Sequence, residues 1–311
     1  MRITLYCIAC FLHFSCKPLM TEFSQGSLHH SASFTNSLGM RFVAVPIKVN
    51  SGMREVMFCI WETRVCDFEE FVNTTGHDAI KDNWKYAFPT HEGIPANGKS
   101  WKNPGFYQTK YYPVCFVSWN DAQAFCKWLT EKERRDGKIS ERQSYRLPTD
   151  HEWSCASGMG IWETSTETPR SKDGVYIEHY EAEGCSEIWK GKEGNFGGIE
   201  YSRKYEPTTE LNHNFVDPYV ETAPVGSFKA NLYAIYDMRG NVSEFCQDYY
   251  DPTSKELDVR YTRTVRGEAW WSEPRFLSSR GSMDQNSRSV SLGFRIVLAD
   301  TRMTYKRPHK W

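Results

Sequence analysis

A chain of 311 residues with 40% hydrophobic and 15% aromatic content can bury a large core, in one domain or two. Eleven Trp, 21 Gly and 14 Pro beside 25% charged residues exclude a disordered or fibrous polypeptide and describe a loop-rich globular one in which helix does not dominate. Lysine plus arginine (38) nearly cancels aspartate plus glutamate (39), so no global field draws the chain onto nucleic acid or an anionic membrane.

Arg2 is followed by an apolar run from Ile3 to Phe14 and then by Ser15, Cys16 and Lys17. The run is too short to cross about 30 Å of hydrocarbon as a permanent helix and has the length of a cleaved signal core. Cys16 after the small Ser15 also fits a lipidation site, although His13 stands where an apolar residue is usual. Secretion, a lipid anchor at Cys16, and a later start at Met20 or Met40 all stay open. Residues 1–16 therefore read as a signal or lipoprotein peptide, and the Ser-, His- and Thr-rich residues 17–37 as a linker. Residues 38–311 read as one domain. The expected location is extracytoplasmic, secreted or lipid-anchored, with the membrane touched only through such an anchor.

Of ten cysteines, seven remain beyond Cys16: Cys59, Cys66, Cys115, Cys126, Cys155, Cys185 and Cys246. An odd number leaves at least one unpaired, and with no C-x-x-C spacing a zinc site has no support. Arg41 to Pro46 and Glu55 to Trp61 alternate like strands. Thr63 can cap a short helix with Val65, Phe68, Phe71 and Val72 on its inner face, ended by Gly76. Val114 to Val117 reads as a further strand. Ser118 with Asp121 then opens a second helix, whose Ala122, Phe125, Cys126 and Leu129 fall on one face and which Gly137 stops. Tyr145 to Trp153 reads as a strand end followed by a Thr149/Glu152 capping box and a third helix reaching Gly158. Beyond Met159 only short strand candidates separated by turns remain. Loops of that length in a compact domain point to bound ions, cross-links or function.

Several segments are specific enough to carry a resemblance. Tyr112-Pro113-Val114 through Val117-Ser118-Trp119-Asn120-Asp121-Ala122, Phe125-Cys126-Lys127-Trp128-Leu129 and Tyr145-Arg146-Leu147-Pro148-Thr149 precede Glu152-Trp153. Gly194-Asn195-Phe196, Thr222 to Phe228, Leu232 to Glu244 and Leu292-Gly293-Phe294-Arg295 follow in order. Together they resemble the formylglycine-generating, sulfatase-modifying-factor family over nearly the whole chain beyond the linker. The resemblance implies a single α+β, loop-rich domain of variant C-type-lectin fold, with few short helices and short antiparallel strands. Trp119, Trp128, Trp153 and Phe294 would be apolar anchors, and Arg146 and Arg295 would hold loops through buried hydrogen bonds.

The family resemblance also places two calcium sites. The first would use the side chains of Asn195 and Asp217 and the carbonyls of Phe196 and Tyr219. The second would use the side chains of Asp237 and Glu244 and the carbonyls of Gly240 and Val242. Such oxygen-only sets suit Ca²⁺. The alternative for Asp237 and Glu244 is exposure, or hydrogen bonding to Arg239 or Arg295. An active member of the family oxidises a substrate cysteine with copper held by two cysteines near its C-terminus, because soft Cu(I) selects thiolates. In this chain those positions are Ser272 and Leu277, and the stretch from Arg266 to Arg280 contains no cysteine. The family's Gly-Gly-Ser is Gly267-Glu268-Ala269 here, and the tryptophan expected before Glu244 is Ser243. Copper is therefore not expected.

The functional expectation is a non-catalytic binding or accessory domain, its surface formed by Trp270, Trp271, Ser272, Arg275 and Phe276, with an unidentified protein or glycan as partner; the alternative for Trp270 and Trp271 is a place in the core beneath those loops. The alternatives are an oxidase using other cysteines, such as Cys246 or Cys59 with Cys66, and a structural component of an envelope complex. His151 and Glu152 lie in a helix cap, and no Walker loop, G-x-S-x-G turn or H-x-x-x-H pair accompanies them.

Overall fold

The computed structural model describes residues 33–49, 52–79, 98–158, 194–205, 216–250, 261–272 and 280–302. All fall in one compact unit, Ala32–Trp311. Cys16, the rest of residues 1–31, Cys185, Arg275, Phe276 and Leu277 lie outside the described residues.

The first sheet has the order β1-β2-β3-β9-β4 and is antiparallel throughout: β1 Ser33–Thr35, β2 Arg41–Val49, β3 Gly52–Cys59, β9 Val297–Asp300 and β4 Gln143–Arg146. Alternation along β2 sends Phe42 to one face and Val45 and Ile47 to the other. Both faces of this sheet are covered. On the first lie helices α1 (Val65–Thr75) and α2 (Trp119–Arg135), which supply Phe68, Phe71, Phe125 and Leu129 to a core shared with Trp101 and Phe294. On the second lie helix α3 (Asp150–Ala156), with Trp153, and the loop bearing Ile235 and Met238. A fourth helix, α4, spans Ile199–Tyr205. The second sheet runs β7-β6-β5-β8: β7 Arg280–Asp284, β6 Thr262–Arg266, β5 Ser243–Tyr249 and β8 Leu292–Gly293, with β5 and β8 parallel.

The chain crosses from one sheet to the other between β8 and β9, through Phe294, Arg295 and Ile296. Thr63 N–H donates to the Phe294 carbonyl at 2.9 Å and Cys59 N–H to that of Ile296 at 3.1 Å, which fixes Arg295 at the junction. At Gly293 an added Cβ would sit 2.5 Å from the Val114 carbonyl oxygen, so only glycine lets these loops meet.

The expected caps form. Ser118 and Asp121, and Thr149 and Glu152, make reciprocal capping boxes, and Gly76 ends α1 at φ 67°. Helix α1 is capped by Arg64 with Asp67 rather than by Thr63. Two further expectations need correction. Ser33–Thr35, inside the stretch read as linker, form a strand because β2 offers them an open edge. Val114 to Val117 is not a strand: Phe116 adopts φ 60°, and the segment is instead held by Val114 N–H to Thr63 and Phe116 N–H to Ser289.

Candidate functional site

The loops that carry the family's motifs converge on Asn195 and Gly240, which form an isolated parallel bridge. A Cβ on Gly240 would lie 2.2 Å from the Asn195 carbonyl, and that carbonyl accepts from Asn241 N–H at 2.8 Å. Asn241, at φ 61°, takes Ala223 N–H on its Oδ1 at 2.9 Å and donates from Nδ2 to Glu62 at 2.8 Å. Glu62 also accepts Val242 N–H at 3.2 Å.

Two acidic groups flank this junction. In the first, Asp217 accepts Phe196 N–H at 3.2 Å and Tyr219 N–H at 2.7 Å, while its own N–H donates to Glu200 at 3.3 Å. Burial, with the Glu200 charge adding to it, pushes the Asp217 carboxyl up to about 6 despite those two amides. The fully buried Asn195 donates to the Glu221 carbonyl at 2.7 Å, but its Oδ1 has no hydrogen-bond partner among the described residues, and neither does the buried Oε2 of Glu200. Two carboxylates without a cation and an unsatisfied amide oxygen are donors that suit a hard dication. The structure thus brings together Asn195, Phe196, Asp217 and Tyr219 and adds Glu200, which the sequence reading missed.

The second group does not fit a cation in the manner expected. Glu244 spends both oxygens on Arg295 (Nε at 3.1 Å to each, Nη2 at 2.7 Å to Oε1), and Trp153 Nε1 donates to Oε2 at 3.0 Å. Arg295 also donates to the carbonyls of Cys59 and Tyr236 at 3.2 and 2.8 Å. Asp237 accepts Gly226 N–H at 2.6 Å. For Glu244 the structure therefore shows the alternative to calcium, hydrogen bonding to Arg295, whose guanidinium is its countercharge. Burial and its acidic neighbours push Glu62 well above the carboxylate range, and burial, with Glu244 adding to it, pushes Asp237 up to about 6. Glu62 takes no part in any motif of the sequence. Its partners Asn241 and Val242 lie far along the chain, so no local pattern marks it.

The expected binding surface is also redrawn. Trp270 is fully buried, packed against Phe106, Tyr201 and Tyr205 at centroid distances of 5.7, 5.7 and 6.1 Å, so it is a core residue and not a contact. Trp271 and Ser272 are half-buried. Ser272 closes a turn: its Oγ accepts Ala269 N–H at 3.1 Å, its N–H donates to the Ala269 carbonyl at 2.8 Å, and its carbonyl accepts Gly197 N–H at 2.9 Å. Glu268, which replaces a family glycine, pairs with Arg239 at 3.5 Å, and that guanidinium lies 5.4 Å over the Phe196 ring.

The six described cysteines are free thiols. Burial pushes Cys59 and Cys115 up to about 12 and raises Cys126 and Cys246 as well, opposite to what a thiolate ligand needs. Cys155 Sγ lies 3.7 Å from His151 Nε2, but that nitrogen donates to the Lys48 carbonyl at 2.6 Å and is not a free base. Among the described residues no group of three or more His, Cys, Asp or Glu forms a metal-binding cluster.

Residues 51–300 match the family model described as the sulfatase-modifying factor enzyme 1-like domain. The chain is 28% identical over 220 residues to the formylglycine-generating enzyme of Mus musculus, a match covering 61% of this chain and 48% of that protein. It is 24% identical over 266 residues to the inactive C-alpha-formylglycine-generating enzyme 2 of the same species, over 74% of this chain and 70% of that one. The chain thus spans about half the length of the first of these relatives. Among solved structures, PvdO from Pseudomonas aeruginosa superposes with a TM-score of 0.54 at 17% identity, over 86% of this chain and 98% of that one, a likeness of fold alone.

Proposed function

As the chain belongs to the sulfatase-modifying factor enzyme 1-like domain family, we propose that it is an extracytoplasmic, non-catalytic member that works by binding a partner. The observation that carries this reading is the stretch Arg266 to Arg280, which has no cysteine and holds Ser272 where the resemblance puts the first copper ligand. A hydroxyl and a hydrocarbon cannot replace two thiolates around Cu(I). The commitment of Ser272 Oγ to the Ala269 amide supports a structural task for that residue. The Arg239–Glu268 pair supports the same reading, since it puts the charged Glu268 side chain where the resemblance puts a glycine. The apolar N-terminal run before Cys16 supports export.

Calcium fits this domain at the first acidic group. Asn195, Asp217 and Glu200, with the carbonyls of Phe196 and Tyr219, would hold the ion, which would neutralise two carboxylates and tie α4 to the loop of residues 216–228. The second group, as drawn from sequence, does not fit, because Glu244 is consumed by Arg295 and Trp153.

The copper reading is tested by titrating the purified protein with Cu(I) held by a chromophoric chelator. The chelator is expected to keep the metal. A stoichiometric complex in which the protein withdraws one equivalent of Cu(I) would contradict the proposal.

A further inference from the structure

The loop of residues 98–112 carries Lys99, Lys102 and Lys110 and no acidic residue. Its inner side is anchored. Trp101 is buried in the main core, Phe106 packs on the buried Trp270 at 5.7 Å, and Gln108 Nε2 donates to the Trp101 carbonyl at 2.7 Å. Its outer side is unusually aromatic. Tyr107 is 75% exposed and Tyr111 53% exposed, the two largest exposed apolar surfaces of this part of the chain. Neither floats free: Tyr107 meets Tyr112 edge to face at 6.1 Å, and the Tyr111 carbonyl accepts Val225 N–H at 3.0 Å. That last bond joins the loop to residues 216–228, where half-buried Tyr219 and Phe228 form a further edge-to-face pair at 6.2 Å.

The charged side chains of residues 98–112 are all lysines. Lys110 Nζ stands 5.1 Å over the Tyr111 ring and Lys102 Nζ 5.1 Å over Trp101, and neither ammonium makes an ion pair among the described residues. Glu221, on the neighbouring segment 216–228, is taken by Lys204 and by the Tyr205 hydroxyl. Tyrosines held by a rigid base supply large amphipathic contact area at low entropic cost, and two uncompensated ammonium groups beside them select a partner of opposite charge.

We propose that Tyr107 and Tyr111, flanked by Lys102 and Lys110, form a docking face for an acidic, extended peptide segment of a partner protein. This names the partner chemistry of the binding role above and rests on that role. The Cu(I) titration reads the stretch Arg266 to Arg280 and the peptide titration reads this loop, so failure of one is distinguishable from failure of the other.

The test is fluorescence anisotropy with the wild-type protein and a fluorescein-labelled peptide of alternating Glu and Gly, with the Lys and Gly counterpart as control. Saturable binding of the acidic peptide that weakens with added salt is expected, because exposed charges are screened beyond about 8 Å at physiological ionic strength. Tyr107→Ala with Tyr111→Ala should weaken it roughly tenfold or more. Lys102→Glu with Lys110→Glu should weaken it and remove its salt dependence. All four side chains stand on the anchored loop, so unchanged circular dichroism and melting would verify that each variant folds. Failure of the wild type to bind, equal binding by the variants, or capture of a sulfated oligosaccharide with no capture of the peptide would each overturn the proposal.

Discussion

Replacing Arg295 by methionine is expected to destabilise the domain by about 4 kcal/mol, because breaking a buried ion pair strands its partner. Glu244 would lose its only cationic contact among the described residues, and the buried Glu62 and Asp237 would lose the nearby guanidinium that offsets their charge. For a domain of this size the melting temperature should fall by roughly 10 °C. The double variant Glu244→Gln, Arg295→Met should cost much less than the sum of the two singles, since the second change removes the charge that the first left unpaired. Additive losses in thermal and urea melts would mean that the pair is not the element joining the two sheets. A pH series gives a second reading. The folded Asp237 carboxyl titrates near about 6, above the unfolded value of about 4, so its ionisation costs stability. That cost is absent below the unfolded value and complete above the folded one. The Asp237 contribution therefore falls as pH rises through this interval.

Calcium is expected to raise the melting temperature of the wild type by roughly 5 to 10 °C at a hundred times its dissociation constant, which corresponds to about 2.7 kcal/mol of binding linkage. Among the described residues Asp217 and Glu200 lie together with no cation and Asn195 Oδ1 lacks a donor, so the ion would satisfy three groups at once. Asp217→Asn should abolish the calcium-dependent rise while leaving the metal-free protein as stable or slightly more so, because one of two repelling charges is gone. Glu244→Gln should behave in the opposite way. It weakens the Arg295 pair and lowers stability with or without calcium, and leaves the calcium-dependent rise intact. Identical melting curves in chelator and in excess calcium, with no ion found by elemental analysis, would remove the site.

What the sequence made legible was local. Ser118 with Asp121 and Thr149 with Glu152 announce helix starts because both partners lie within one turn, and the motif order was enough to imply the α+β, lectin-like scaffold. What stayed hidden depends on partners distant in sequence. Ser33–Thr35 is a strand only because β2 accepts it, and its own composition reads as linker. Phe116 looks like a strand residue, yet its amide is claimed by Ser289 and its backbone turns left-handed. Trp270 and Trp271 are adjacent and identical in type, so sequence cannot tell which one faces the core; three aromatic rings from two other segments decide it for Trp270. For Glu244 the sequence leaves calcium and hydrogen bonding to Arg295 as alternatives, and the choice between them is decided only by the crossing of two sheets at Phe294 to Ile296, where Arg295 both holds loops and neutralises Glu244.

The most direct test of the central claim is to incubate the purified domain with copper, oxygen and a sulfatase-type cysteine peptide and follow the peptide by mass spectrometry. With Ser272 and Leu277 where the resemblance puts the copper ligands, no conversion of cysteine to formylglycine is predicted, under conditions in which an active family member converts the same peptide. Conversion that depends on this protein and persists after its free thiols are blocked would contradict the account at its root. Conversion abolished by that blocking would contradict it too, by showing that one of the buried cysteines supplies the chemistry assigned here to none of them.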